Sequence, residues 1–295
     1  MKNIVTLIAI VLALSLASST PAHAQFDFSK LNKLGDALKK GQEVAKKASD
    51  ATRELTDTEE SEAGDGMAAS FLGAVPLHSD AELQRYVNHV GRWIASQSRR
   101  PDLKWSFAVL DTPTINAFAV PGGTIFVSAG LLKRLKSESE LAGVLGHEVA
   151  HVMQRHHVKA IQAAAKTDLV KMLGSEVVDA RSGASPLGKE GIKLLTSTGL
   201  SIMSKGLDKA DEFEADRIGA VLAARAGYDP YGLVAVLQML AAVKQEESGF
   251  SLMMSTHPTP NDRLNELEKF AATLDRFAAQ PQVEDRFAKV LASLK

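Results

Sequence analysis

Apolar residues recur three or four apart over several stretches of the chain, and these stretches predict its helices. In residues 80–98, Leu83, Val87, Val90 and Ile94 form one stripe, with Asp80 placed to cap the N-terminus. In residues 141–153, Leu141, Val144, Leu145, Val149, Val152 and Met153 repeat the pattern, and Ser137 with Glu140 supplies the S-x-x-E signature of a helix start. This helix is expected to run on through Val158 to Ala165. Residues 209–225 form another, stopped by Gly227 and the Asp229-Pro230 pair. Residues 231–244 carry Leu233, Val236, Leu237 and Leu240, and residues 131–135 start a short helix. Asn261 or Asp262 is expected to cap a helix reaching Ala272, and residues 284–294 read as a closing amphipathic helix.

β-rich runs are fewer. Residues 105–110 (W-S-F-A-V-L) predict a strand, and residues 115–120 and 124–128 flank Pro121-Gly122-Gly123 as a hairpin. Residues 61–66 (S-E-A-G-D-G) read as a linker, so the compact domain is expected to begin near Met67. Residues 182–188 read as a loop. Before the linker, Leu31, Leu34, Leu38 and Val44 suit either an amphipathic helix or a loosely ordered extension. The pattern predicts an α+β fold, mainly α, with a small sheet.

The N-terminus adds a targeting signal. Lys2 precedes an apolar run over residues 4–16, and Ala22-His23-Ala24 fits a cleavage site. The expected organisation is a signal peptide at 1–24, a charged helical extension and linker at 25–66, the main domain at 67–275 and a terminal helix at 276–295. No later run is apolar enough to span a bilayer. The formal net charge of −1 gives no nucleic-acid footprint. The absence of cysteine excludes disulfides, an acylated lipoprotein Cys and thiolate metal ligands. An exported, cysteine-free chain fits the periplasm.

The chemistry centres on His147, Glu148 and His151, an H-E-x-x-H motif inside the predicted helix at 141–153. Residues four apart share a helix face about 6 Å apart along the axis, so two imidazoles converge on one ion. Zinc accepts neutral histidine nitrogens, and Glu148 is placed beside the pair to act as a base toward water. A third ligand is still needed. Glu212 and Asp216 are four apart, so one can bind metal while the other orients an imidazole. Glu214 points about 200° away from Glu212 around the helix axis. His156 and His157 read as supporting or surface residues, and His78 and His89 as surface or packing residues.

Two further elements could serve the same site. The hairpin could hold a peptide by strand addition, with Asn116 a candidate polar contact. His257 and Arg263 flank a proline-stiffened loop and could steady an oxyanion; His257 could instead complete the metal shell in a resting state.

Four motifs in order carry a family resemblance: N-A-F-A-V-P-G-G at 116–123, G-H-E-V-A-H at 146–151, E-F-E-A-D at 212–216 and T-H-P-T-P-N-D-R at 256–263. The chain resembles the HtpX and CAAX-prenyl-protease type of zinc metallopeptidase, a gluzincin, and most of all its soluble periplasmic BepA/LoiP-like branch. The resemblance implies a zincin-like fold with one Zn2+ per chain on His147, His151 and Glu212, and Asp216 supporting a ligand histidine. It also implies that the strand Asn116, Ala117, Phe118, Ala119, Val120 lies beside the substrate, and that His257 and Arg263 approach the metal. The chain departs from membrane-embedded relatives in lacking transmembrane helices, and from others in lacking a lipoprotein Cys or a tetratricopeptide array after Ala272.

The expected activity is hydrolysis of peptide bonds by metal-activated water with Glu148 as general base. The expected substrates are misfolded or unassembled envelope proteins, with outer-membrane assembly machinery as a further partner. The rival expectation is a chaperone or assembly factor whose zinc site is kept shut by His257.

Overall fold

The computed structural model describes residues 53–173, 189–243 and 256–294. The expected signal peptide, most of the N-terminal extension and the loop at 182–188 lie outside them. The described chain opens with helix α1 (Asp57–Ala74), capped by a reciprocal pair between Thr56 and Glu59. The expected linker at 61–66 is therefore the interior of a helix. Its glycines serve close approach: a Cβ on Gly64 would stand 1.8 Å from the Pro121 carbonyl oxygen, and one on Gly66 2.8 Å from Thr196 Oγ1.

Helix α2 (Ala81–Ala95) starts as expected, with the Asp80 side chain accepting from the Glu82 and Leu83 N–H groups. Strands β1 (Ser106–Leu110), β2 (Ala117–Val120) and β3 (Thr124–Ser128) form one sheet in the order β1-β3-β2. The β2–β3 hairpin is antiparallel, and Gly122 and Gly123 turn it with φ of 84° and 106°. β1 joins the far edge of β3 in parallel, leaving β2 at the other edge.

After a short α3 (Ala129–Leu132), helix α4 (Glu138–Met153) carries the H-E-x-x-H motif. Ser137 caps it through the Glu140 N–H. α4 does not run on to Ala165. Gln154 ends it, Arg155 takes φ 58°, and α5 (His156–Leu173) begins afresh. The left-handed residue is held from outside: Arg155 Nε donates to Glu60 at 2.8 Å and its Nη2 to Asp57 at 2.5 Å.

Helices α6 (Lys189–Lys205), α7 (Lys209–Arg225) and α8 (Gly232–Ala242) follow. Helix α9 (Pro260–Glu268) is capped by Thr259, not by Asn261 or Asp262, because Pro260 fits the first helical turn and Thr259 then accepts the Asp262 N–H. α9 stops before Ala272, and a short α10 (Ala271–Leu274) follows. The closing segment divides into α11 (Glu284–Val290) and a 3-10 turn (Leu291–Leu294).

α4 is the centre of the molecule, buried from Glu138 through Val152 apart from Glu140. It packs on α2, α7, α8 and β2. Against α7 the approach is backbone to backbone: a Cβ on Gly146 would meet the Gly219 carbonyl oxygen at 2.6 Å, and one on Gly219 the His147 nitrogen at 2.5 Å. These two glycines bring the acidic face of α7 onto the histidines of α4. Among the described residues no helix is long and apolar enough to cross a membrane.

Candidate active site

His147 and His151 project from one face of α4, with their Nε2 atoms 3.1 Å apart. Glu212 faces them from α7. Its Oε2 is 3.6 Å from His147 Nε2 and its Oε1 3.6 Å from His151 Nε2. All three side chains are buried, and Glu212 Oε2 has no hydrogen-bond partner. Two atoms bound to one tetrahedral zinc at ~2.0–2.1 Å lie roughly 3.3 Å apart. The donor set therefore fits one small cation, and an orphaned buried carboxylate oxygen is what such a cation would satisfy.

Electrostatics fit the same arrangement. Burial lowers the His147 and His151 imidazoles, which keeps them neutral and able to ligate. Burial pushes the Glu212 carboxyl up to about 8, against the pull of Arg263, so the cavity holds this carboxylate poorly without a cation. Asp216 behaves in the opposite way. Burial alone would raise it, but Arg263 and His147 outweigh burial and hold it well below the usual carboxylate range. Asp216 Oδ1 lies 2.8 Å from His147 Nδ1, so that N–H is oriented and Nε2 keeps its lone pair for the site.

Arg263, expected to approach the metal, lies beside His147 and pairs with Asp216. Its Nε and Nη2 donate to the two Asp216 oxygens at 2.8 and 2.5 Å, and the side chain is buried. The guanidinium fixes Asp216, and through it His147. The 3.3 Å between Arg263 Nη2 and His147 Nδ1 separates two N–H groups that share Asp216 as acceptor.

Glu148 follows His147 on α4. It accepts the Ala119 N–H, and burial pushes its carboxyl up to about 8. It lines a largely apolar cleft of about 460 Å³ together with Asn116, Phe118, His151, Glu212 and His257. His257 Nε2 is 3.7 Å from Glu212 Oε2, and its Nδ1 is 3.0 Å from Thr256 Oγ1. One ligand atom each from His147, Glu212 and His257 lie within 4.8 Å of one another.

The strand expected beside the substrate is only partly open. Ser128 N–H donates to the Asn116 carbonyl. The alternation of an antiparallel ladder then turns the backbone groups of Ala117 and Ala119 away from β3. Ala119 and Val120 have no exposed surface: Ala119 packs in the α4 core with Glu148 on its N–H, and Val120 packs on the opposite face with Ala63 and Met67 of α1. Asn116, Ala117 and Phe118 reach the cleft. Asn116 Oδ1 is buried without a hydrogen-bond partner.

Of the two places expected for His156, supporting or surface, the structure shows the supporting one. His156 is fully buried, with Nδ1 3.0 Å from His151 Nδ1, and Glu214 lies at its far nitrogen. His157 is half-buried beside the cleft, where burial pulls its imidazole down to about 4.

Two imidazoles of an H-E-x-x-H helix, a facing buried glutamate and a glutamate at a cleft are the parts that a metal-dependent peptidase site needs. Residues 80–271 match peptidase family M48, and the chain belongs to that family. It is 31% identical over 240 residues to the beta-barrel assembly-enhancing protease of Yersinia pestis, covering 80% of this chain and 49% of that protein. Against the protein of the same name from Escherichia coli K12 it is 31% identical over 241 residues, covering 80% and 48%. Against the mitochondrial metalloendopeptidase OMA1 of Schizosaccharomyces pombe it is 31% identical over 185 residues, covering 63% and 52%. The chain spans about half the length of these curated relatives.

Proposed function

We propose that this chain is a zinc endopeptidase that hydrolyses peptide bonds of unfolded or misassembled proteins in the cell envelope. The observation that carries the reading is the buried, partnerless Glu212 oxygen facing His147 and His151, with Glu148 alongside at the cleft. His147, His151 and Glu212 would hold one zinc ion. When bound, zinc polarises the scissile carbonyl and acidifies water. Glu148, at the cleft, takes the proton from the attacking water and returns it to the leaving amine. Asp216, locked by Arg263, keeps the His147 proton on Nδ1 throughout.

The outward backbone groups of Ala117, flanked in the cleft by the side chains of Asn116 and Phe118, take the substrate backbone as an added strand would, a contact that reads main chain and favours locally unfolded segments. The Asn116 carboxamide oxygen supplies an unused acceptor there. The envelope assignment rests on the N-terminal signal pattern at 1–24, which implies a periplasmic chain; the names of two relatives speak of beta-barrel assembly, and outer-membrane assembly machinery as a partner is part of the same proposal. The organisation into an extension at 25–66, a peptidase domain at 67–275 and a terminal helix at 276–295 is part of the same reading, with α1 reassigned to the folded body.

The test is cleavage of an unfolded protein by residues 25–295, with bound zinc quantified. Zinc near one per chain, with cleavage lost on chelation, is expected; absence of zinc would overturn the reading. The position of His257 favours one rival, a chaperone or assembly factor whose site His257 keeps shut. His257→Ala would then raise basal cleavage several-fold. If His257 steadies the oxyanion, the same variant lowers cleavage, and unchanged cleavage removes it from the site.

A further inference from the structure

The two imidazoles of the site are supported differently. His147 rests on a charged carboxylate, Asp216. His151 rests on another imidazole. We infer that His156 is a positioning residue that orients His151, and that Glu214 orients His156 in turn; this inference builds on the proposed metal site.

The distances run in sequence. His151 Nδ1 lies 3.0 Å from His156 Nδ1, and His156 Nε2 lies 3.3 Å from Glu214 Oε2. For His151 to offer Nε2 to a cation, its proton must sit on Nδ1. That buried N–H needs an acceptor, and the lone pair of His156 Nδ1 meets it. His156 then carries its own proton on Nε2, where the Glu214 carboxylate accepts it. Each group sets the tautomer of the next, and an acceptor of this kind raises the basicity of the ligating nitrogen. Gln154 Nε2 donates to the other Glu214 oxygen at 2.6 Å, which holds that carboxylate in place.

The helix break explains how His156 gets there. On an unbroken helix a residue five positions after His151 would point about 140° away from it. Arg155, at φ 58°, ends α4 and turns α5 so that the His156 ring packs edge-on against His151, with ring centroids 5.0 Å apart. Glu60 and Asp57 of α1 hold Arg155 in that state. A helix at the start of the described chain thus bears on the metal-facing face of α4.

The experiment compares His156→Phe, which fills the space without an acceptor, with His156→Asn, whose Oδ1 can stand in for Nδ1. Zinc affinity would be measured by chelator competition, ligand geometry by the visible spectrum of the cobalt-substituted protein, and packing by melting of the metal-free protein. His156→Phe is expected to weaken zinc binding by about 10- to 100-fold and to shift the cobalt bands. His156→Asn should recover most of both, and Glu214→Gln should weaken binding a few-fold. The inference is overturned if His156→Phe binds zinc like the parent, or if both His156 variants lose affinity equally. A second zinc per chain that disappears in Glu214→Gln would also overturn it, since His156, Asp211 and Glu214 would then be ligands themselves. His147→Ala in the same assay separates the levels. A parent that holds zinc no better than His147→Ala removes the metal site altogether, whereas a parent that holds it while His156→Phe is unaffected removes only the positioning role.

Discussion

Helix α4 carries two buried glutamates ten positions apart, and their surroundings are opposite. Glu138, in the first turn, accepts from Tyr86 at 2.5 Å, from Tyr228 at 2.7 Å and from Arg286 Nε at 2.6 Å, with Arg286 Nη2 on its other oxygen. Burial alone would raise its carboxyl, but these hydrogen bonds outweigh burial and hold it below its ordinary value. Glu148, mid-helix, accepts one backbone N–H and is pushed up to about 8 by burial. Its neighbour across the site, Glu212, keeps an oxygen with no partner. The same residue type on the same helix is a finished structural joint at one end and an unfinished one at the centre. A chain that satisfies a buried carboxylate four times over where it needs only stability leaves two exposed to desolvation where it needs chemistry.

The sharpest way to break this comparison is Glu148→Gln. Removing a general base is expected to lower cleavage by about 10²- to 10⁴-fold. Zinc content and melting temperature should stay at parent values or rise, because the neutral amide is easier to bury. A variant that instead lost zinc or unfolded would make Glu148 a structural residue like Glu138.

Glu138→Ala should do the reverse. Two tyrosine hydroxyls and a guanidinium lose their acceptor; Arg286 is half-exposed and can turn to water, but Tyr86 and Tyr228 are held near the core. A stability loss of about 1–3 kcal/mol is expected in urea unfolding, with cleavage per folded molecule unchanged. The pH dependence has a definite sign. The folded carboxyl is held below its ordinary value of 4.5, so its contribution is fully present above that value. It is lost as pH falls through the lower, folded value. Between pH 7 and pH 3 the parent should therefore lose more stability than Glu138→Ala does. Parallel curves would show that the hydrogen bonds are not worth their desolvation.

Where the sequence was legible, the reason is local. His147 and His151 share a helix face by spacing, as do Glu212 and Asp216, and helical geometry alone brings each pair together. The β2–β3 hairpin follows from its glycine turn. What was not legible depends on partners distant in sequence. Arg263 looked available for an oxyanion because nothing in its own segment announces that Asp216, 47 positions earlier, engages its Nε and Nη2. The end of α4 was missed because the apolar stripe continues past it, and Arg155 is held left-handed by Glu60 and Asp57 from α1. Residues 61–66 read as a linker because a helix with two glycines looks weak until the Pro121 carbonyl and Thr196 are seen against them. β1 could be predicted as a strand, but its parallel place beside β3 is set by tertiary packing.

The comparison can be sharpened further with the metal removed, where the two glutamates differ in sign. Glu212 has a folded carboxyl raised to about 8 from an ordinary 4.5. Between those values the folded chain binds more protons than the unfolded chain, so stability falls as pH rises through the window. Replacing Glu212 by Gln removes that penalty. Metal-free Glu212→Gln is expected to be more stable than the metal-free parent at neutral pH by on the order of 1 kcal/mol, with the difference vanishing below pH 4.5. In zinc the order should invert, because the parent gains binding energy that the variant loses. Glu214→Gln serves as control: Glu214 lies two positions away but its carboxylate faces His156 and Gln154, so it should show neither the metal-free gain nor a comparable zinc loss. Equal zinc loss in both variants would mean that Glu212 is not the third ligand. A metal-free Glu212→Gln protein less stable than its parent would mean that the orphaned oxygen is satisfied in solution, and the contrast with Glu138 would then be one of degree.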